Sequence, residues 1–250
     1  MTSREATSLL SRTHAAEEWL RDQWGVRDWA TLLAFGALNA PWLAKSLYGG
    51  SKASKRALLA GLDLPQDALP NLGSWKADTG LLQLVADHIL AERPETVVEF
   101  GTGASTLIVA KALKLAGGPR TFISIEQHEE FAQKTREWLA EHGLEADLRA
   151  VPLRPSPGGW PGLWYDHEPL PDRIDFMLVD GPPWSIHPFT RGAAATLFGR
   201  IPVGGVVMLD DAARPGERVV ARRWKKMWPN FDFVLDKRGV KGTLIGRRVR

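Results

Sequence analysis

From residue 77 onward the apolar positions switch repeatedly between a two-residue and a 3.6-residue period. That alternation is the signature of a mostly parallel sheet covered on both faces by helices. Short apolar runs at Thr96–Phe100, Thr121–Ile125, Leu148–Val151, Ile174–Val179 and Val203–Leu209 predict five strands, and Phe231–Leu235 with Thr243–Ile245, joined by a turn at Gly239, predict two more. Between them, helices are expected over Asp78–Ala91, Ser105–Ala116, Glu129–His142, Phe189–Arg200 and Arg218–Met227. Gly117-Gly118-Pro119 and Gly143 stop two of these, since glycine and proline end helices. The expected architecture is a three-layer α/β sandwich around seven strands. The stretch from Pro152 to Asp172 is too long to be a passive connector.

Residues 1–75 have a different texture and predict an N-terminal helical cap followed by a linker, with the main domain over 76–250. Leu9, Leu10, Ala16, Trp19 and Leu20 keep helical spacing, continued by Trp29, Leu32, Leu33, Phe35 and Leu38. Trp29 to Ala44 carries no charge over about 16 residues, short of the ~20 that cross a membrane, and Asn39 and Pro41 interrupt it. A buried cap helix is therefore expected ahead of a membrane-surface helix, because Lys45 and the polar segment Gly49 to Arg56 follow at once. Pro65–Trp75 reads as the linker. Four of the eleven tryptophans fall in the first 42 residues, which suits tight packing, including packing against a second copy in a homodimer.

Composition changes the picture in two places. The 250-residue chain has no cysteine, which excludes disulfides, thiolate metal sites and cysteine nucleophiles and suits a cytoplasmic location. The N-terminus lacks the apolar core of a secretory signal. Net charge is only +3, yet residues 212–250 carry twelve Lys/Arg against three Asp/Glu. That surplus reads either as a patch for phosphate-bearing partners or as a solvated helix face with a charged sheet edge.

The first strand runs into Glu99-Phe-Gly101-Thr102-Gly103-Ala-Ser105-Thr106 and then a helix. Glycines let backbone approach a ligand closely, and the helix start offers amide donors to an anionic group. The second strand ends in Glu126-Gln127, where a carboxylate suits the two hydroxyls of a ribose. A dinucleotide site would want a third glycine where Thr106 stands. Glu99 would repel a diphosphate but could help to hold an ammonium group. An adenosine joined to a zwitterionic amino acid fits both ends.

On these residues the chain resembles the class I S-adenosylmethionine-dependent methyltransferases, whose first motif is an acid followed by Gly-x-Gly and whose second is an acid at the tip of strand two. The resemblance covers about residues 77–250 and implies a Rossmann-like fold, with the N-terminal helices where such enzymes build substrate lids. It implies a cofactor site of Glu99, Gly101, Thr102, Gly103, Ser105, Thr106, Glu126, Gln127 and Asp180, with Ser105 and Thr106 offering hydroxyls to the methionine carboxylate.

Asp180 closes the fourth strand, and Asp210-Asp211 close the fifth. Three carboxylates massed at neighbouring strand tips call for a cation, and an oxygen-loving divalent ion such as Mg²⁺ suits them. The layout looks like the metal-dependent catechol-type O-methyltransferases, which implies metal ligation by Asp180, Asp210 and Asp211 and methyl transfer to an oxygen of a small-molecule acceptor. The catalytic lysine of that family is replaced here by Pro183. His187 is then the nearest candidate for the base, with Asp180 beside it. The alternative for Asp210 and Asp211 is helix capping or pairing with Arg214 and Arg218. Asp180-Gly-Pro-Pro-Trp184 also resembles the strand end of N-methyltransferases acting on nucleic acid, apart from the inserted Gly181. A third reading is a non-catalytic cofactor-binding protein. Trp160, Trp164 and Tyr165 suit either an aromatic wall beside the adenine or a loop buried by its own side chains.

Overall fold

The protein is described from a computed structural model, which covers residues 24–250 except 74, 75 and 168. Helices α1 (Val26–Ser46), α2 (Lys52–Gly61) and α3 (Thr79–Glu92) precede β1 (Thr96–Phe100), α4 (Ala104–Ala116), β2 (Thr121–Glu126), α5 (Glu129–Glu141) and β3 (Asp147–Ala150). A short hairpin, β4 (Leu153–Pro155) and β5 (Leu163–Tyr165), comes next, followed by β6 (Phe176–Val179) and a 3₁₀ helix over Thr190–Arg200. The chain closes with β7 (Val206–Leu209), α6 (Pro215–Met227), β8 (Phe231–Asp236) and β9 (Thr243–Arg248). Seven strands form one sheet in the order β3-β2-β1-β6-β7-β9-β8, parallel except where β9 pairs with β7 and β8. The sheet agrees with the sequence expectation, and the strand order reverses between β1 and β6. In open α/β sheets that crevice is where ligands bind.

Alternation along β1 sorts its side chains onto two faces. Val97 joins a core built with α2 to α5, and Val98 and Phe100 join a second core with the hairpin, the 3₁₀ helix and α6. Glu99, between them in sequence, lies on the face of Val97 and is fully buried beneath α4. Its register partner on β2 is Ser124. Parallel pairing thus delivers a hydroxyl to this carboxylate before any ligand is considered.

Four expectations change. The stretch read as a linker is packed: Ala68, Leu69 and Leu72 are buried in the α2–α5 core, and Trp138 Nε1 donates to the Ala68 carbonyl (3.1 Å). Helix α1 continues through Pro41 as 21 residues, but Asn39 and Ser46 are its only buried side chains, while Leu33 and Leu38 are 70% and 57% exposed. An apolar, uncharged run thus does not bury itself here; α1 lies on the surface and touches the molecule through Phe35 on Phe189 (4.9 Å between rings) and Gly36 on Trp184. The helix expected at Phe189–Arg200 is wound as 3₁₀, with its small residues Ala193, Ala194 and Ala195 buried. The long connector holds a hairpin, which three-residue strands are too short to announce by periodicity. The sequence expectations for residues 1–23 lie outside the described residues. Among the described residues, no helix is long and apolar enough to cross a membrane.

Candidate active site

The glycine elbow is a backbone-to-backbone contact. Gly101 has φ 93°, and a Cβ there would stand 2.8 Å from the amide nitrogen of Gly181, so a side chain would push apart the turns that follow β1 and β6. The turn after β6 includes a cis Gly181–Pro182 bond. Gly101 N donates to Ile125 O (2.8 Å), and both Asp180 N and Gly181 N donate to Phe100 O (2.8 Å each). Three strand ends are thereby locked at one crevice.

Glu99 Oε2 accepts hydrogen bonds from Thr106 Oγ1 and Ser124 Oγ, each at 2.6 Å, while Oε1 is buried without a partner. Burial pushes its pKa up to about 7, against the pull of the Ser124, Thr106 and Ser105 hydroxyls. Glu126 Oε2 accepts from Thr102 N (3.2 Å) and Thr102 Oγ1 (3.3 Å), and Oε1 from Gln127 N (2.9 Å) and His128 N (3.0 Å). Burial raises it to about 7 as well. Both acids are therefore held by neutral donors alone.

Thr106 departs from expectation. Its hydroxyl donates to Glu99 and accepts from Gly103 N (2.8 Å), so its one proton is committed and does not face a ligand carboxylate. Ser105 also hydrogen-bonds Glu99. What remains for an anionic group is the first turn of α4, whose amides lie beyond the reach of intrahelical bonding.

Asp180, Asp210 and Asp211 come together as anticipated, with ligand oxygens within 4.8 Å of one another. They are not left without cations, and here the sequence argument is corrected. Arg191, in the 3₁₀ helix, donates Nε to Pro182 O (3.1 Å), Nη1 to Asp211 Oδ2 (3.1 Å) and to Asp210 O (3.3 Å), and Nη2 to the Asp180 carbonyl and to Asp180 Oδ1 (3.4 Å). Arg214 Nη2 lies 3.0 Å from Asp211 Oδ1, so that pairing alternative holds, and Lys241 Nζ lies 3.6 Å from Asp211 Oδ1 and 3.8 Å from Asp210 Oδ2. All three cations are buried. Although burial opposes ionisation of Asp211, Arg214, Lys241 and Arg191 together hold it well below the usual carboxylate range. Burial and the neighbouring acids push Asp210 well up instead, and burial raises Asp180. Glu217, also buried between Arg214 and Arg191, is raised to about 7 by burial.

Sequence reasoning missed Arg191 and Lys241. Arg191 had a readable signal, being a lone charge in a run of small and apolar residues, Thr190-Arg-Gly-Ala-Ala-Ala, where solvation is poor. Lys241 had none. His187 is not brought to the acids: it is 3% exposed, its Nδ1 accepts from Phe189 N (3.2 Å), and the charge facing it is Asp28 of α1. Burial lowers it to about 4, which makes it a poor base at neutral pH. Trp160 and Trp164 are buried against the body of the fold, with Arg223 of α6 stacked 3.9 Å over Trp160 and Trp164 against Phe100 of β1 at 4.9 Å. The Pro182 carbonyl, which would have to grip an amine in the nucleic-acid reading, accepts Arg191 instead.

This sheet order, with a glycine elbow flanked by acids on β1 and β2, is the fold of the class I S-adenosylmethionine-dependent methyltransferases, and part of the chain matches a methyltransferase family. Residues 98–212 match the family model described as a methyltransferase domain, which places that domain from β1 to the turn after β7. No curated protein matches the chain by sequence. Among solved structures it is similar to the O-methyltransferase TomG from Streptomyces achromogenes, involved in tomaymycin synthesis and solved with S-adenosylmethionine, at 18% identity over 92% of this chain and 98% of that one (TM-score 0.50). It is also similar to cofactor-bound Rv0187 from MTB, at 21% identity over 83% and 94% (TM-score 0.50). The methyltransferase PaMTH1 of Podospora anserina, solved with S-adenosylhomocysteine, is 12% identical over 84% and 94% (TM-score 0.50). At these identities the likeness is one of fold.

Proposed function

We propose that the protein transfers the methyl group of S-adenosylmethionine to a hydroxyl oxygen of a small-molecule acceptor in the cytoplasm, with Mg²⁺ held by Asp180, Asp210 and Asp211. The observation that carries this reading is Asp210, fully buried beside two further carboxylates, with neither of its oxygens accepting a hydrogen bond from a donor among the described residues. Buried carboxylates without donors are costly unless something binds them. Lys241 stands at 3.8 Å, and its hydrogen bond goes to the Lys76 carbonyl (2.8 Å). Asp180, Asp210 and Asp211 present their oxygens within 4.8 Å of one another. An all-oxygen donor set of this kind fits a hard divalent cation.

In this reading Glu99 receives the ammonium group through its free Oε1, Glu126 and Thr102 hold the ribose, and Gln127 lies against the adenosine. Gly101 and Gly103 let the methionine portion pass close to the backbone. Asp180 is the acid shared by both halves, with its side chain 16% exposed at the crevice. Arg191 fixes its orientation. A divalent cation, when bound, polarises the acceptor hydroxyl and lowers its pKa. The acceptor oxygen attacks the methyl carbon as the carbon–sulfur bond breaks, its proton passes to solvent, and S-adenosylhomocysteine leaves. The turn holding Trp184, beneath α1, provides the lid that orients the acceptor and excludes water. The exposed apolar side chains of α1, Val26, Leu33 and Leu38, suit a homodimer contact.

The test is methyl transfer to a panel of phenols, sugars, carboxylic acids and amines, with and without chelator, alongside Asp210→Ala. We expect transfer to a hydroxyl acceptor that chelation abolishes and Mg²⁺ restores. Asp210→Ala should keep cofactor binding and lose turnover on the order of 100-fold. Chelator-resistant turnover would remove the metal from the reading, and transfer to amines alone would replace oxygen as the acceptor.

A further inference from the structure

Tyr165 ends β5 with its ring against Phe100 (5.7 Å between centroids) and edge-on to Trp164 (5.2 Å). Its hydroxyl reaches the turn after β6 so closely that a Cβ on Gly181 would lie 2.1 Å from it. Tyr165 is 3% exposed, and its hydroxyl has no hydrogen-bond partner among the described residues. The charged groups around it are Glu126, Arg191, Asp180 and Glu99, which come from the ends of β2, the 3₁₀ helix, β6 and β1. This phenol therefore stands against the turn after β6, which abuts the Gly101 elbow where the strand order reverses, and the acids proposed for the two ends of the cofactor are among the charges that act on it. Phenylalanine would fill the same apolar contact without burying an orphaned hydroxyl. Burial and the adjacent acids also disfavour its ionisation, so it stays a neutral phenol.

We propose that the Tyr165 hydroxyl is a cofactor contact that reads the positive charge of the sulfonium, and so sets the preference for S-adenosylmethionine over S-adenosylhomocysteine. The proposal rests on the cofactor placement given above. A sulfonium has no hydrogen to donate from sulfur, but it polarises the C–H bonds of its methyl and methylene groups, which then approach oxygen atoms favourably. The neutral thioether of the product lacks that charge. An uncharged oxygen fixed at this point stabilises the methyl donor and leaves the product weakly held, which aids its release. Glu99 and Glu126 contact parts common to both ligands and do not discriminate between them.

The experiment is calorimetry of the full chain with each ligand, using wild type and Tyr165→Phe. We expect Tyr165→Phe to weaken S-adenosylmethionine roughly tenfold and to leave S-adenosylhomocysteine within about twofold. Equal loss for both ligands, no loss, or tighter binding of both would overturn the proposal, the last marking Tyr165 as a plug. If wild type binds neither ligand, the cofactor placement itself fails. A second measurement keeps the native side chain. The chain has two tyrosines, Tyr48 and Tyr165, so 3-fluorotyrosine labelling gives two fluorine resonances, assigned with Tyr48→Phe. The Tyr165 resonance should shift more with S-adenosylmethionine than with S-adenosylhomocysteine, and identical shifts would count against the assignment.

Discussion

The two halves of the crevice hold their acids by opposite means. On the side proposed for the cofactor, Glu99 and Glu126 are surrounded by hydroxyls and backbone amides and carry no ion pair among the described residues. On the side proposed for the acceptor, Asp211 and Asp180 are laced by Arg191, with Arg214 and Lys241 alongside. Neutral donors orient a carboxylate without cancelling its charge, so burial wins and the pKa rises to about 7 at both cofactor-side acids. Ion pairs cancel the charge, and Asp211 stays ionised at any ordinary pH. The first arrangement leaves sites that still gain from a positive or hydroxylated ligand. The second builds a rigid electrostatic frame, in which Asp210 is the member left open.

The contrast breaks most severely at Arg191. Arg191→Ala would strip Asp180, Asp211 and three carbonyls of their donor at once and leave buried charge uncompensated. We expect a loss of about 3–5 kcal/mol of stability in denaturant unfolding, whereas a loss below 1 kcal/mol would show that solvent replaces the guanidinium and that the frame is not rigid.

The cofactor side responds to pH instead. Because the pKa of Glu99 and of Glu126 is about 7 in the fold, above the ordinary carboxylate value, folding favours their protonated forms. Their contribution to stability is full below the ordinary carboxylate pKa and is lost as pH rises toward about 7. Affinity for the proposed cofactor, whose ammonium group and ribose hydroxyls these carboxylates would accept, runs the other way, and should climb roughly tenfold from about pH 6 to about pH 8 as both ionise. Glu99→Gln should remove part of that climb and leave the share due to Glu126. Calorimetry across this range checks it, and a flat profile in wild type would mean that both acids are already charged.

The smallest effect is expected at Lys241, which sits beyond hydrogen-bond distance of both aspartates. Lys241→Met keeps the apolar stem and, with Arg214 and Arg191 still paired to Asp211, should cost about 1–3 kcal/mol in thermal unfolding. A loss comparable to that of Arg191→Ala would place the ammonium, not the guanidinium, at the centre of the frame.

The sequence by itself determined the seven strands, the elbow at Gly101 and Gly103, and the acids at the tips of β1, β2, β6 and β7, because periodicity, glycine freedom and strand ends are local properties of the chain. It also anticipated that Asp180, Asp210 and Asp211 meet, since adjacent parallel strands end together. Only the tertiary structure decided how those acids are neutralised. Arg191 and Lys241 arrive from the 3₁₀ helix and from the turn before β9, and no spacing rule links them to the acids they face. It likewise withdrew His187 into apolar surroundings, committed Thr106 to Glu99 and set the Tyr165 hydroxyl against Gly181. Charge interaction and desolvation depend on distance through space and on what lies between, and the chain fixes both only once its layers have closed.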